Sequence, residues 1–289
     1  QIGRKDSARR REEKTGEKET PFLRRKGPEV MSSSAENIRR PSWLLQLLEM
    51  RAVPELGAYA WMYPMLHLAP RGDGHPVLVL PGFLTTGAAT FPLRHFLKIL
   101  GYRSHRWKLG RNLGPVGFKE FEIMHRLKEL RHRYARKVSI IGWSLGGLYA
   151  RELAWMAPED VRMVITLGTP FRHHKSTAVT WLYEDLTGQE EAHMPPELRD
   201  RMELPPPVPA TAIYSRTDGV VPWRCSLEQS AEFAENICVE SSHCGLGHNP
   251  LVLWAIADRL AQREGEWRPF QRTRWRRLLY RQPDHIGTL

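Results

Sequence analysis

Apolar positions along the chain fall into two alternating patterns. Val77–Leu80 is a continuous apolar run stopped by Pro81-Gly82, which predicts a buried strand. Over 90–100, Phe91, Leu93, Phe96, Leu97 and Leu100 recur at helical spacing. Tyr102–Trp107 reads as a weaker strand, Phe118–Tyr134 as a helical stripe, and Val138–Ile141 as a strong strand. Leu145–Ala157 then reads as a helix ended by Pro158, followed by strands at Val161–Leu167, Ala210–Tyr214 and Ile237–Glu240 and a last helix at Leu251–Ala261. Strands alternating with helices predict an α/β fold, a mostly parallel sheet flanked by helices on both faces.

Two stretches depart from this rhythm. Phe171 to Pro209 is too long for a plain connection and holds a helical segment, Thr177–Leu186, and two proline runs. It reads as a small lid at about 171–209, inserted between strands. Ahead of the first strand, Trp43 to Leu48 and Tyr59 to Leu68 form an apolar stretch broken at Pro54, Gly57 and Pro64, with Ser42 placed to cap a first short helix. Packing against the core is the first reading of this stretch; an apolar apron for lipid or an acyl chain is the second.

The formal net charge is +11, and it is unevenly spread. Residues 1–40 carry 12 basic and 7 acidic side chains, and 262–289 carry 7 and 3. The body between them is close to neutral, so no nucleic-acid partner is expected, while peripheral contact with a membrane or lipid surface stays open. Residues 1–30 are polar and lack apolar periodicity, so 1–40 is expected to be a disordered basic extension, with Met31 as the native start. The catalytic body is expected over 41–270 and a basic amphipathic tail over 271–289, where Arg272, Arg274, Arg276 and Arg277 interleave with Trp275, Leu278, Leu279 and Tyr280. No secretory signal is seen, so a cytoplasmic location is expected. Cys225, Cys238 and Cys244 define no disulfide framework and read as free thiols, with a bridge from Cys225 left open.

Gly142-Trp143-Ser144-Leu145-Gly146-Gly147 follows one predicted strand directly and opens a predicted helix. A serine there sits on a sharp strand-to-helix turn, beside the electropositive start of a helix, and the glycines relieve crowding between strand and helix. A nucleophilic serine needs a base and a group to orient it, here in the chain order serine, acid, histidine. Asp218 lies after a strand in Ser215-Arg216-Thr217-Asp218-Gly219, and His243 and His248 both follow the next strand. Either histidine satisfies the order. Oxyanion stabilisation calls for N–H donors from Leu145, after the nucleophile, and from the loop Pro81-Gly82-Phe83-Leu84, where Phe83 is the candidate. Leu84, Trp143 and Leu246 adjoin these motifs and Trp181 sits in the lid, so they are expected to line an apolar acyl pocket. His173-His174 has no further ligands at a metal-binding spacing, so neither a metal nor another cofactor is expected.

With these motifs the chain resembles the α/β-hydrolase superfamily, and within it the bacterial serine esterases and lipases of simple, nearly lidless type. The resemblance rests on Leu80-Pro81-Gly82-Phe83, Ile141 to Gly147, Ser215 to Gly219 and Ser242-His243-x-Gly245-Leu246, and covers about Pro76 to Leu260. Pro81-Gly82 stands where the family commonly has His-Gly, and the first two strands of the full fold have no counterpart, so a sheet of about six strands is implied. The resemblance implies Ser144 as nucleophile, His243 as base with His248 as its rival, and Asp218 as the orienting acid. The implied activity is hydrolysis of small-molecule or lipid carboxylic esters with an apolar acyl chain. An acyltransferase or thioesterase on the same triad, and a non-catalytic lipid- or partner-binding protein of the same fold, are the alternatives.

Overall fold

The computed structural model describes residues 38, 40–114, 120–172 and 201–286. The expected lid helix, Trp181, His173 and His174 and nearly all of the 1–40 extension lie outside the described residues.

Six strands form one sheet: β1 (Pro76–Leu80), β2 (Arg103–Arg106), β3 (Val138–Trp143), β4 (Val161–Leu167), β5 (Ala210–Tyr214) and β6 (Ala234–Cys238). Their spatial order is β2-β1-β3-β4-β5-β6, and every pairing is parallel. β1, β3, β4 and β5 are buried along their whole length, which is why they read as apolar runs without alternation. Successive side chains nevertheless divide between the faces. Val77, Val79, Ile141, Ile165 and Ile213 join one core, and Leu78, Leu80, Ile140 and Val164 join the other.

Helices cover both faces. Two apolar N-terminal helices, α1 (Trp43–Leu47) and α2 (Ala52–Leu66), precede the sheet. α3 (Phe91–Ile99) and α6 (Pro250–Leu260) pack on the first core through Leu93, Phe96, Leu97, Val252 and Ile256. α4 (Glu120–Tyr134) and α5 (Leu145–Met156) pack on the second through Ile123, Leu127, Leu130, Ala150 and Leu153. A short α7 (Arg276–Leu279) lies in the C-terminal tail, which is fastened to the body by the buried Tyr280 and by Asp284. Tyr280 donates to the Leu251 carbonyl and Tyr214 donates to the Asp284 carboxylate.

Two expectations shift. β6 begins at Ala234 and stops at Cys238, whereas the apolar pattern placed it at Ile237–Glu240. Its first residues, Ala234 and Glu235, are only half buried at the sheet edge, so hydrophobicity marks only its inner end. The N-terminal apolar stretch packs on the core through Leu66 and Ala69, yet most of its large apolar side chains stand in solvent. Cys225, Cys238 and Cys244 are all unbridged.

The chain leaves β1 for β2 at the sheet edge and then returns across β1 to β3. Strand order therefore reverses between β1 and β3, and a crevice opens at their C-terminal ends. The loop 81–86 and Ser144 both emerge there.

Candidate active site

Ser144 lies between β3 and α5 with φ 52° and ψ −125°, a backbone conformation that costs a side-chain-bearing residue about 1–3 kcal/mol. The turn is held from β4: the Ser144 N–H donates to the Leu167 carbonyl at 2.8 Å, and the Thr169 hydroxyl donates to the Ser144 carbonyl at 2.9 Å. Crowding explains the flanking glycines. A Cβ on Gly142 would lie 2.3 Å from the Gly147 Cα, and one on Gly146 would lie 2.5 Å from the Leu80 carbonyl oxygen.

Asp218 ends the turn that follows β5. Its Oδ1 accepts the N–H groups of Val220 and Val221 at 2.8 and 2.7 Å. Its Oδ2 accepts the Nδ1–H of His243 at 2.7 Å. Ser144, Asp218 and His243 are all buried. Burial pushes the His243 imidazole down, but the Asp218 charge, its hydrogen bond and the Glu49 carboxylate together outweigh this and raise it above its ordinary range. His248 is engaged elsewhere, since its Nε2–H donates to the Ala52 carbonyl at 3.0 Å.

Gly168 follows β4 with φ 53° and closes around the acid and base. A Cβ there would approach Leu246 Cδ1 to 2.7 Å, Asp218 Oδ2 to 3.0 Å and His243 Nδ1 to 3.1 Å. The loop after β1 is pinned by the buried Asn112, whose side chain donates to the Pro81 carbonyl at 2.8 Å and whose carbonyl accepts the Leu84 N–H at 2.7 Å. Leu84 takes φ 58°, and Phe83 beside it is half buried. Leu145 opens α5, so its N–H belongs to the first turn, whose donors a helix does not satisfy internally. Trp143 and Leu246 are both buried in the core beneath the site. The Trp143 indole N–H donates to the His243 carbonyl at 3.2 Å, so this ring supports the base loop from below.

The least expected part of the site is N-terminal. Glu49 Oε1 accepts the N–H of Gly219 and the N–H of His243, both at 2.8 Å, and Oε2 accepts the Cys244 N–H at 3.0 Å. Glu55 accepts the Ser242 N–H at 2.8 Å and the hydroxyls of Ser241 and Ser242 at 3.0 and 2.9 Å. Arg51 donates to the carbonyls of Thr217 and Ser241 and to the Thr217 hydroxyl. The segment lies so close that a Cβ on Gly219 would fall 2.2 Å from the Leu45 carbonyl oxygen. The loops carrying Asp218 and His243 are thus tied to one another through a single strap. Isolated charges in an otherwise apolar run were the only sequence signal for this; Asn112 and Gly168 left almost none.

The sheet order, the reversal between β1 and β3 and the strained serine turn define the α/β-hydrolase fold. Solved structures with this fold superpose on the chain at low sequence identity. Aspergillus fumigatus lipase B matches at 19% identity with a TM-score of 0.52, over 65% of this chain and 53% of that one. The mature form of the Bacillus licheniformis lipase BlEst2 matches at 17% identity with a TM-score of 0.51, over 66% of this chain and 94% of that one. The chain therefore spans about half the length of the Aspergillus lipase. No sequence-family model and no curated protein matches the chain.

Proposed function

We propose that the protein is a carboxylic ester hydrolase that works through an acyl-enzyme on Ser144. The observation that carries this reading is the buried Asp218–His243 hydrogen bond, whose base loop is held by the indole of Trp143, the residue before Ser144 in its strained turn at a helix N-terminus. In this mechanism the His243 Nε2 takes the Ser144 proton as Oγ attacks the ester carbonyl. The N–H groups of Phe83 and Leu145 hold the oxyanion, and the alcohol leaves with the proton from His243. A water activated by His243 then releases the acid. Asp218 keeps the proton on Nδ1, leaving Nε2 free to act, and stabilises the imidazolium. Apolar side chains at Phe83, Leu84 and Leu145 favour an apolar acyl chain.

The test is hydrolysis of p-nitrophenyl esters of graded chain length, together with labelling by a fluorophosphonate. Ser144→Ala is expected to abolish labelling, and Ser144→Ala and His243→Ala to lower kcat by at least about a thousandfold. His248→Ala is expected to keep most of its activity. An active, labelled Ser144→Ala protein would overturn the assignment, and acyl transfer to an added alcohol in place of hydrolysis would redirect it.

A further inference from the structure

The strap over 43–68 reverses the usual arrangement of a surface helix. Its ionisable acids and its arginine, Glu49, Glu55 and Arg51, all turn inward and are consumed by hydrogen bonds to the 215–245 loops. Apart from Gln46 and His67, its outward positions are apolar. Trp61 is 81% exposed, Trp43 and Val53 75% each, and Met50 73%, with Leu47 and Met65 more than half exposed. A water-facing helix places its polar side outward, so this face is built for a medium other than water. It also extends beyond the strap. Phe91 of α3 is exposed and stacks on His95, which stacks in turn on Tyr63 of α2.

We propose that this face seats the protein on the surface of an anionic phospholipid bilayer. Three features select that occupant. Apolar side chains large enough to enter the acyl region sit beside Trp43 and Trp61, whose rings suit the headgroup boundary. With both glutamates turned inward, the face presents no strap carboxylate to repel an anionic headgroup. Arg39 and Arg40 stand just ahead of the strap in sequence, and basic residues close to an anionic surface strengthen the attraction to it. The contact is peripheral: no described helix is long and apolar enough to cross a membrane. The inner side of the same strap holds the His243 and Asp218 loops, so the bilayer lies about one helix diameter, ~10 Å, from them. The inference does not require the ester-hydrolase reading.

Co-sedimentation of the full chain with phosphatidylcholine vesicles containing phosphatidylglycerol tests it, using Trp61→Glu and the double variant Met50→Glu/Val53→Glu. Wild type is expected to sediment with the vesicles, more weakly with pure phosphatidylcholine and at high salt. Each variant is expected to lose about tenfold or more in vesicle affinity, with an unchanged melting temperature and unchanged turnover of a short water-soluble ester. Failure of wild type to bind, or equal binding by the variants, overturns the proposal. Equal binding to neutral and anionic vesicles overturns its anionic part. Strap-dependent dimerisation in light scattering without vesicle binding assigns the face to a second copy and also overturns it.

Discussion

The Oε1 of Glu49 accepts the backbone N–H of His243 at 2.8 Å and, with the same atom, that of Gly219 beside Asp218. A single carboxylate therefore sets the spacing between the acid turn and the base loop. Against the burial that lowers it, its charge joins that of Asp218 in raising the His243 imidazole.

From this follows a pH effect. Glu49→Gln keeps the shape and one acceptor oxygen but removes the charge. His243 then protonates at lower pH, so the active neutral imidazole persists further into acid. The acidic limb of the kcat/KM profile is expected to move to lower pH, with kcat down about tenfold from looser positioning. A loss of activity with an unmoved limb would make Glu49 merely structural, and Glu49→Asp should recover the limb position better than Gln. Among the groups facing His243, Asp218 is common to both proteins, so the difference isolates Glu49.

Gly168 offers a sharper steric test. Gly168→Ala places a methyl against Asp218 Oδ2 and His243 Nδ1 at a backbone φ of 53°. Activity is expected to fall about a hundredfold through displacement of the pair. Strain at that φ should cost about 1–3 kcal/mol, read by urea unfolding. A variant that keeps wild-type kcat would show that the acid and base tolerate movement.

A buried ion pair ties α5 to the stretch between β5 and β6. Arg151 of α5 is bound to Glu228, both nearly inaccessible, and Arg151 also donates to the carbonyls of Met202 and Leu204. Its guanidinium lies 3.8 Å over the Phe171 ring. Glu228→Ala strands that cation in the interior and is expected to cost about 3–5 kcal/mol in chemical unfolding.

A serine–histidine–aspartate line runs across the end of the sheet opposite Ser144. Asp73 accepts the His75 Nδ1–H at 2.5 Å, and the Ser139 hydroxyl donates to His75 Nε2 at 2.9 Å. His75 and Ser139 are fully buried, and Ser139 lies within β3 with no helix start beside it. Ser139→Ala is expected to leave ester turnover intact.

The same histidine predicts acid sensitivity. Burial, aided by Arg162 and opposed by Asp73, lowers the His75 imidazole from 6.5 to about 4, and burial likewise lowers His105 to about 4. Both are neutral in the folded state and charge more readily when unfolded, so unfolding takes up protons as pH falls from 6.5 toward 4. Stability should be full above 6.5 and decline through that window, by at most about 3 kcal/mol for His75. His75→Gln should flatten the curve in urea melts at graded pH.

What was legible in the sequence was local. The Ser144 turn announces itself because a strand, two glycines and a helix must meet within a few residues. The buried strands read directly from Val77–Leu80 and Val161–Leu167, because the layers of an α/β sheet leave no polar alternation. Choosing between His243 and His248 was not local. It depends on which ring meets Asp218 across the gap between β5 and β6, and the structure brings His243 there. The strap was still less readable, since Glu49 finds its partners 170 to 195 residues away and nothing near it in sequence shows them. Ser139 makes the converse point: its serine–histidine–aspartate line has the residue types of the candidate site, and its position at the start of β3, with no helix start beside it, is what sets it apart.

The span of those contacts also sets an order of events during synthesis. The strap leaves the ribosome well before Gly219, His243 and Cys244, which follow Glu49 by 170 to 195 residues. Until then, Glu49 lacks the N–H groups of Gly219, His243 and Cys244, and Arg51 has only Glu55 of the same strap to pair with. Closing so long a loop is a late and slow step in folding. Asp218 and His243 therefore cannot be held by the strap until the chain has been made through Cys244, 195 residues beyond Glu49.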